Sequence, residues 1–296
     1  MLLIKCFMYS KIWDICIQSH IDRQPTVKRV SSEKMKSIVH ISDLHFGRPY
    51  IQDAGNAVLQ FLADTPHEAL ICSGDIVQFA ENISEWKAAQ KFFSQISSPT
   101  VVVPGNHDIL RFFPVVRWLV PMNRYFRYIY PSRDMQLHLP GLDIVGLGTM
   151  RSWTIELGFI SQKQLAYVEE AFRQSPKENV RILVQHQAPT KFNRGWFPTH
   201  VRGYKRALRT YAKSRVDLIL TGHNHFVHAE ELTQDGHRMI WSQVGTTTSK
   251  RFPMMQPKEN SLTRIDIGEY KFDLVTFVYQ ASSKTFVRKS MCSFLR

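Results

Sequence analysis

Residues 36–47 read KSIVHISDLHFG, a short apolar run that stops at Asp43-Leu44-His45. A run of this length, bounded by polar and glycine residues, has the pattern of a buried strand. Its polar stop recurs along the chain. Ala69–Ser73 is closed by Gly74-Asp75, and Thr100–Val103 by Pro104-Gly105-Asn106-His107-Asp108. Val180–Val184 ends before His186, and Val216–Leu220 ends at Gly222-His223-Asn224-His225. Helical spacings separate these runs. Ala54, Ala57, Val58, Phe61 and Leu62 predict a helix over Asp53–Ala63, and Trp86, Ala89, Phe92, Phe93 and Ile96 one over Ser84–Ile96. Ser161 and Gln164 form a capping-box pattern at the head of a helix reaching Gln174, and Val201–Ser214 reads as a basic helix. Strands at 142–147, 226–231, 238–244, 262–267 and 272–279 complete the pattern. Alternating strands and helices predict an α/β sandwich, with the polar stops at the carboxyl ends of strands, where open α/β sheets place ligands.

The segment Ile109–Arg133 breaks this rhythm. It carries Arg111, Arg117, Arg124, Arg127 and Arg133, seven aromatic residues and no acid, and Pro114, Pro121 and Pro131 divide it into short helices. Following Asn106-His107 directly, it is expected to overhang the polar stops. The organisation predicted is an extension over 1–34, with Met35 as a candidate start, a main domain over 35–280 with a helical cap insertion at 109–135, and a C-terminal tail over 281–296.

The chain has 296 residues, 44% hydrophobic and 21% charged, enough for a sizeable core. Its 38 basic and 25 acidic residues give a formal charge of +13, which favours anionic partners. The cysteines Cys6, Cys16, Cys72 and Cys292 form no C-x-x-C pair and no disulfide framework, so a reducing cytoplasm is the expected compartment. No apolar stretch approaches a membrane span. A small-residue cleavage site after the first twenty residues is missing, which argues against a signal peptide. Without a secretory context, the sequon Asn82-Ile83-Ser84 carries no weight.

Carboxylate, amide and imidazole ligands without thiolates suit manganese, iron or zinc in a reactive site rather than a structural zinc knot. Two such ions sharing a carboxylate sit roughly 3.5–4 Å apart, acidify a water between them, and stabilise charge that builds on phosphoryl oxygens. The motifs HISDLHFG (40–47), SGDIVQ (73–78), VPGNHD (103–108), LVQH (183–186), LTGHNH (220–225) and VGTTTS (244–249) resemble the calcineurin-like metallophosphoesterase superfamily. Within it the chain is most similar to the bacterial class III cyclic-nucleotide-phosphodiesterase-like branch, from about Lys36 to Asp266.

The resemblance implies a four-layer α/β/β/α sandwich and two divalent cations. Asp43, His45 and His225 would hold the first, Asp75 would bridge both, and Asn106, His186 and His223 would hold the second. His107 would give a proton to the leaving group. Asp108 would support that loop or contact substrate, and Arg124, Arg127 and Arg151 are candidate phosphate contacts. Two positions depart from the family pattern. Gln78 stands where many relatives place an aspartate that orients the catalytic histidine, and Gln187 follows His186 where relatives often have a second histidine, so altered substrate contacts are expected there. The expected activity is hydrolysis of a phosphodiester or pyrophosphate in a phosphorylated small molecule. The alternatives are a UDP-2,3-diacylglucosamine pyrophosphatase, acting on a lipid-nucleotide with peripheral contact at the inner membrane face; a nuclease, with nucleic acid the less favoured partner; and a non-catalytic scaffold.

Overall fold

The computed structural model describes residues 35–111, 114–154, 156–191, 199–253 and 256–296. The extension predicted over 1–34 lies outside these residues. Residues 36–296 form one compact unit.

Two six-stranded sheets build it. The first contains β1 (Lys36–Ile41), β2 (Ala69–Cys72) and β3 (Thr100–Val102) as parallel neighbours, extended antiparallel from β1 by β10 (Ser261–Ile267), β11 (Lys271–Gln280) and β12 (Thr285–Leu295). The second contains β5 (Leu142–Leu147), β6 (Val180–Gln185), β7 (Leu218–Thr221) and β9 (His237–Gln243) in parallel. Antiparallel β4 (Met135–Leu139) and β8 (His228–Gln234) form its edges.

Alternating side chains divide the apolar residues among three cores. Ile38, Ile71 and Val101 of the first sheet meet Ile144, Ile182, Val184, Leu218 and Leu220 of the second in a core between the sheets. Val39, Ile41, Leu70 and Cys72 point the other way, toward α1 (Gln52–Asp64), α2 (Ile83–Phe93) and α4 (Asn123–Tyr128). Val145, Leu147, Leu183 and Ile219 face α5 (Gln162–Arg173) and α6 (Tyr204–Lys213). Strands covered on both faces read as unbroken apolar runs, which is why the sequence marked them clearly. The result is the four-layer α/β/β/α arrangement. The predicted capping box is present at α5, where Ser161 and Gln164 bond to each other's backbone.

Two edge strands differ from the sequence reading. Residues 281–296, taken as a tail, supply β12, which pairs along the whole length of β11. Its side chains are mostly exposed, so the hydrophobic pattern is weak; Phe286 and Phe294 tie it to the cores. Met135, assigned to the end of the cap, begins β4, an alternating edge strand. The cap contains the short helix α3 (Pro114–Leu119) and α4. No helix among the described residues is long and apolar enough to cross a membrane.

Asp143 fastens the rim of the second sheet. Its buried carboxylate accepts from His138 Nδ1 at 2.5 Å, Asn179 Nδ2 at 2.9 Å and the Ser175 hydroxyl. Burial pushes this carboxyl up, but the hydrogen bonds from Ser175, His138 and Asn179 outweigh it and hold the group below the ordinary carboxylate range. The stabilisation is therefore full above the unfolded value near about 4 and fades as pH falls through and below it. Asp143→Asn is expected to destabilise the fold by about 1–3 kcal/mol at neutral pH. Thermal melts should show the gap to the parent narrowing below about pH 4; a gap independent of pH would contradict this assignment.

Candidate metal centre

Parallel register places the ends of β1, β2 and β3 at one rim, and those of β6 and β7 at the matching rim of the second sheet. Asp43, His45, Asp75 and His225, from the loops after β1, β2 and β7, each present a ligand atom within 4.8 Å of all the others. His45 Nε2 lies 3.2 Å from His225 Nε2, 3.7 Å from Asp75 Oδ2 and 3.9 Å from Asp43 Oδ1. Asp43 Oδ1 is buried and makes no hydrogen bond, although His225 Nε2 is 3.0 Å away. Lone pairs of two imidazoles and two carboxylates therefore converge on one point. A divalent cation fits that point, where hydrogen bonding among the four does not satisfy it.

A second group faces the other oxygen of Asp75. His186 Nε2 is 3.4 Å from Asp75 Oδ1 and 3.1 Å from Asn106 Oδ1, and His223 Nδ1 is 2.9 Å from the same amide oxygen. Asp75 thus turns one oxygen to each group. Backbone carbonyls fix the histidines. His186 Nδ1 donates to Ser73 O at 2.7 Å and His225 Nδ1 to Arg251 O at 2.5 Å, leaving Nε2 of each as the ligand atom. Burial works to raise the carboxyls of Asp43 and Asp75. His225 beside Asp43, and His186 and His107 beside Asp75, outweigh it and hold both below the ordinary range, so both stay ionised.

The backbone itself marks the site. Eight described residues other than glycine have positive φ, and five are Asp43, His45, Asp75, His223 and His225. Such conformations cost about 1–2 kcal/mol each for residues with a Cβ and persist where surrounding contacts impose them. Here the contacts are visible. Thr246 and Thr248 hydroxyls donate to Asp43 O and Leu44 O at 2.8 and 2.9 Å, and Thr247 Oγ1 accepts from Ser42 N at 3.1 Å. The VGTTTS motif, legible as text but not as a role, is this brace.

His107 lies beside the first group, its ring 4.7 Å from that of His45. Its Nδ1 donates to the backbone carbonyl of Gln78 at 2.7 Å, so Nε2 is the nitrogen available to a substrate. Gln78 therefore orients the histidine through its main chain, a role its side chain did not advertise. Burial pushes the imidazole down to about 4, with Arg111 and Arg251 adding to the drop against Asp75.

Asp108 takes the loop-supporting role of the two expected for it. Its carboxylate is buried and collects the N–H groups of Gly105, Ile76 and Val77 at 2.7, 2.9 and 3.0 Å, which locks the Asn106-His107 loop to the Asp75 loop. Arg124 and Arg151 are likewise committed. Arg124 donates to Ala80 O at 2.8 Å, and Arg151 to the carbonyls of Gly148 and Met150 and to the Gln164 amide. Arg127 is exposed and stacks over Tyr128, 5.5 Å from its centroid. Gln187 is fully buried, with its amide on Thr149, Met150 and Glu156, so it knits loops together instead of altering substrate contacts. His200 packs edge-on against Tyr204.

The chain belongs to the calcineurin-like phosphoesterase family, whose model matches residues 36–227, more than half its length. Its fold is similar to that of a purple acid phosphatase from yellow lupin (Lupinus luteus) seeds, with a TM-score of 0.67 and 13% identity over 88% of this chain and 53% of that one. The chain thus spans about half the length of the lupin protein. A dimetal phosphatase from Danio rerio is also similar, with a TM-score of 0.60 and 13% identity over 88% of this chain and 98% of the other. No curated protein sequence matches the chain.

Gly105 leaves no room beside the bridging carboxylate: a Cβ there would overlap Asp75 Oδ1 and the Asp75 backbone nitrogen. Gly105→Ala is expected to lower bound-metal content at least about tenfold while the protein remains folded by circular dichroism. Full metal occupancy in the variant would show that the loop tolerates the side chain.

Proposed function

We propose that this chain is a two-metal phosphohydrolase that cleaves a phosphodiester or pyrophosphate. The single observation carrying this reading is the division of Asp75 between two ligand groups, each complete in nitrogen and oxygen donors. Manganese or iron, with zinc as the other option, would be held by Asp43, His45 and His225 on one side and Asn106, His186 and His223 on the other, with Asp75 common to both. Cations so held supply Lewis acidity toward phosphoryl oxygens and a water acidified near neutral pH. The protein's own part is positional. Asp108 fixes the loop that carries Asn106 and His107. The Gln78 carbonyl holds His107 Nδ1, so Nε2 is the nitrogen that would, in the protonated ring, give the leaving oxygen its proton. Asp43, His45, Asp75, Asn106 and His186 are buried, and His223 and His225 are half-buried at the open side of the site. The complete ligand set argues against a non-catalytic scaffold.

Metal analysis with a chromogenic phosphodiester assay tests the reading. Bound manganese or iron and turnover are expected; neither metal nor turnover at any pH would end it. His107→Ala should reduce turnover about 10²–10⁴-fold with metal content unchanged. Metal lost along with activity would place His107 among the ligands instead.

For the substrate, the cap favours a lipid-linked nucleotide over a cyclic nucleotide. Val115, Trp118 and Leu119 of α3 are 71%, 66% and 73% exposed, and Arg117 ties α3 to the loop of the exposed Trp153 through the carbonyls of Ser152 and Thr154. Exposed apolar side chains on a basic protein suit the surface of an anionic membrane. Sedimentation with phosphatidylglycerol-containing vesicles should retain the parent, and Trp118→Ser with Leu119→Ser should release it. Equal partition of the two would leave the cap as a plain lid over a soluble substrate.

A further inference from the structure

Two arginines of the cap, Arg117 and Arg124, are spent on carbonyls, whereas an arginine outside it reaches the site with donors to spare. Arg251 follows the VGTTTS brace on a segment anchored by Lys250 N to Pro49 O at 2.9 Å. Its own carbonyl holds His225 Nδ1. Its guanidinium reaches back across the site, where Nη1 donates to Gln78 Oε1 at 3.2 Å. Gln78 thus moors two groups at once, His107 by its carbonyl and Arg251 by its amide oxygen. Among the described residues no carboxylate pairs with Arg251, and its remaining guanidinium donors have no partner. The side chain is half-buried, so these donors are reachable from the mouth of the site.

We propose that Arg251 is a substrate-binding residue that takes the non-bridging oxygens of the phosphoryl group, and that Gln78 is the positioning residue that keeps its charge available. The inference rests on the phosphohydrolase reading and deepens it. A guanidinium presents its donors in a planar fork that matches two phosphoryl oxygens, and the bond to Gln78 uses one of them. The neutral amide aims the fork without cancelling its charge. A carboxylate at position 78 would form an ion pair with Arg251 and compete with the phosphate. The glutamine at this position therefore suits a site that delegates His107 orientation to the main chain and uses the side chain to present a cation. Truncating Arg251 leaves its carbonyl in place, so the mooring of His225 survives the test.

The test measures binding of inorganic phosphate by calorimetry, on full-length protein loaded with manganese, alongside metal content by mass spectrometry. Arg251→Ala is expected to weaken phosphate binding about tenfold or more, with metal content equal to the parent. Arg251→Lys should fall between, since an ammonium keeps the charge but loses the fork. Gln78→Glu should weaken phosphate about as much as Arg251→Ala, although it removes no cation. Phosphate affinity in Arg251→Ala within twofold of the parent would overturn the proposal, as would metal lost together with phosphate, or unchanged affinity in Gln78→Glu. A parent that binds manganese but not phosphate overturns it too. A parent that binds no metal overturns the phosphohydrolase reading and this one with it.

Discussion

The sharing of the Asp75 carboxylate between two donor groups is the constraint from which the rest of the site follows. One oxygen faces His45 and the other His186, so the residue cannot rotate to suit either group alone. Its own backbone sits at positive φ, and His107 N donates to Oδ1 at 2.8 Å, fixing the carboxylate plane from the neighbouring loop. Gly105 passes against it because no side chain would fit. Asp108 then closes the arrangement by gathering backbone donors from both loops. Asp75, Ile76, Val77, Gly105, His107 and Asp108, from two strand ends, are thereby locked into one rigid unit before any ligand from the second sheet is considered.

Around this unit, main-chain groups carry more of the positioning than side chains do. Carbonyls of Ser73, Gln78 and Arg251 orient His186, His107 and His225 respectively. Threonine hydroxyls brace the carbonyls of the Asp43 loop. Such an arrangement tolerates change at the side chain of an orienting residue, because the Gln78 carbonyl holds His107 whatever side chain the position carries.

This also explains what could and could not be read from the sequence. The ligands were legible because each ends an apolar run, where a charged or polar residue has no packing reason to be. The parallel strands were legible because both faces are buried. β12 was not, because an exposed edge strand held chiefly by backbone pairing with β11 leaves little hydrophobic signature. Arg124 and Arg151 were assigned by charge, and charge says nothing about which partner is nearest. Arg124 bonds a main-chain carbonyl, and Arg151 two carbonyls and the Gln164 amide. Arg251 was overlooked for the converse reason: its importance lies in having few partners, which composition does not record.

The ligand loops come from two sheets that meet across the middle of the molecule in an apolar, non-directional contact. Asp43, His45, Asp75 and Asn106 belong to one sheet; His186, His223 and His225 to the other. Hydrophobic contact can slide, whereas coordination cannot. Cations seated there would act as rivets that set the register of one half-sandwich against the other and offset the strained dihedrals at their own ligands. The same atoms that perform the chemistry would then also be the keystone of the tertiary structure, so that removing metal from this protein would loosen its architecture along the seam between the sheets as well as silence it.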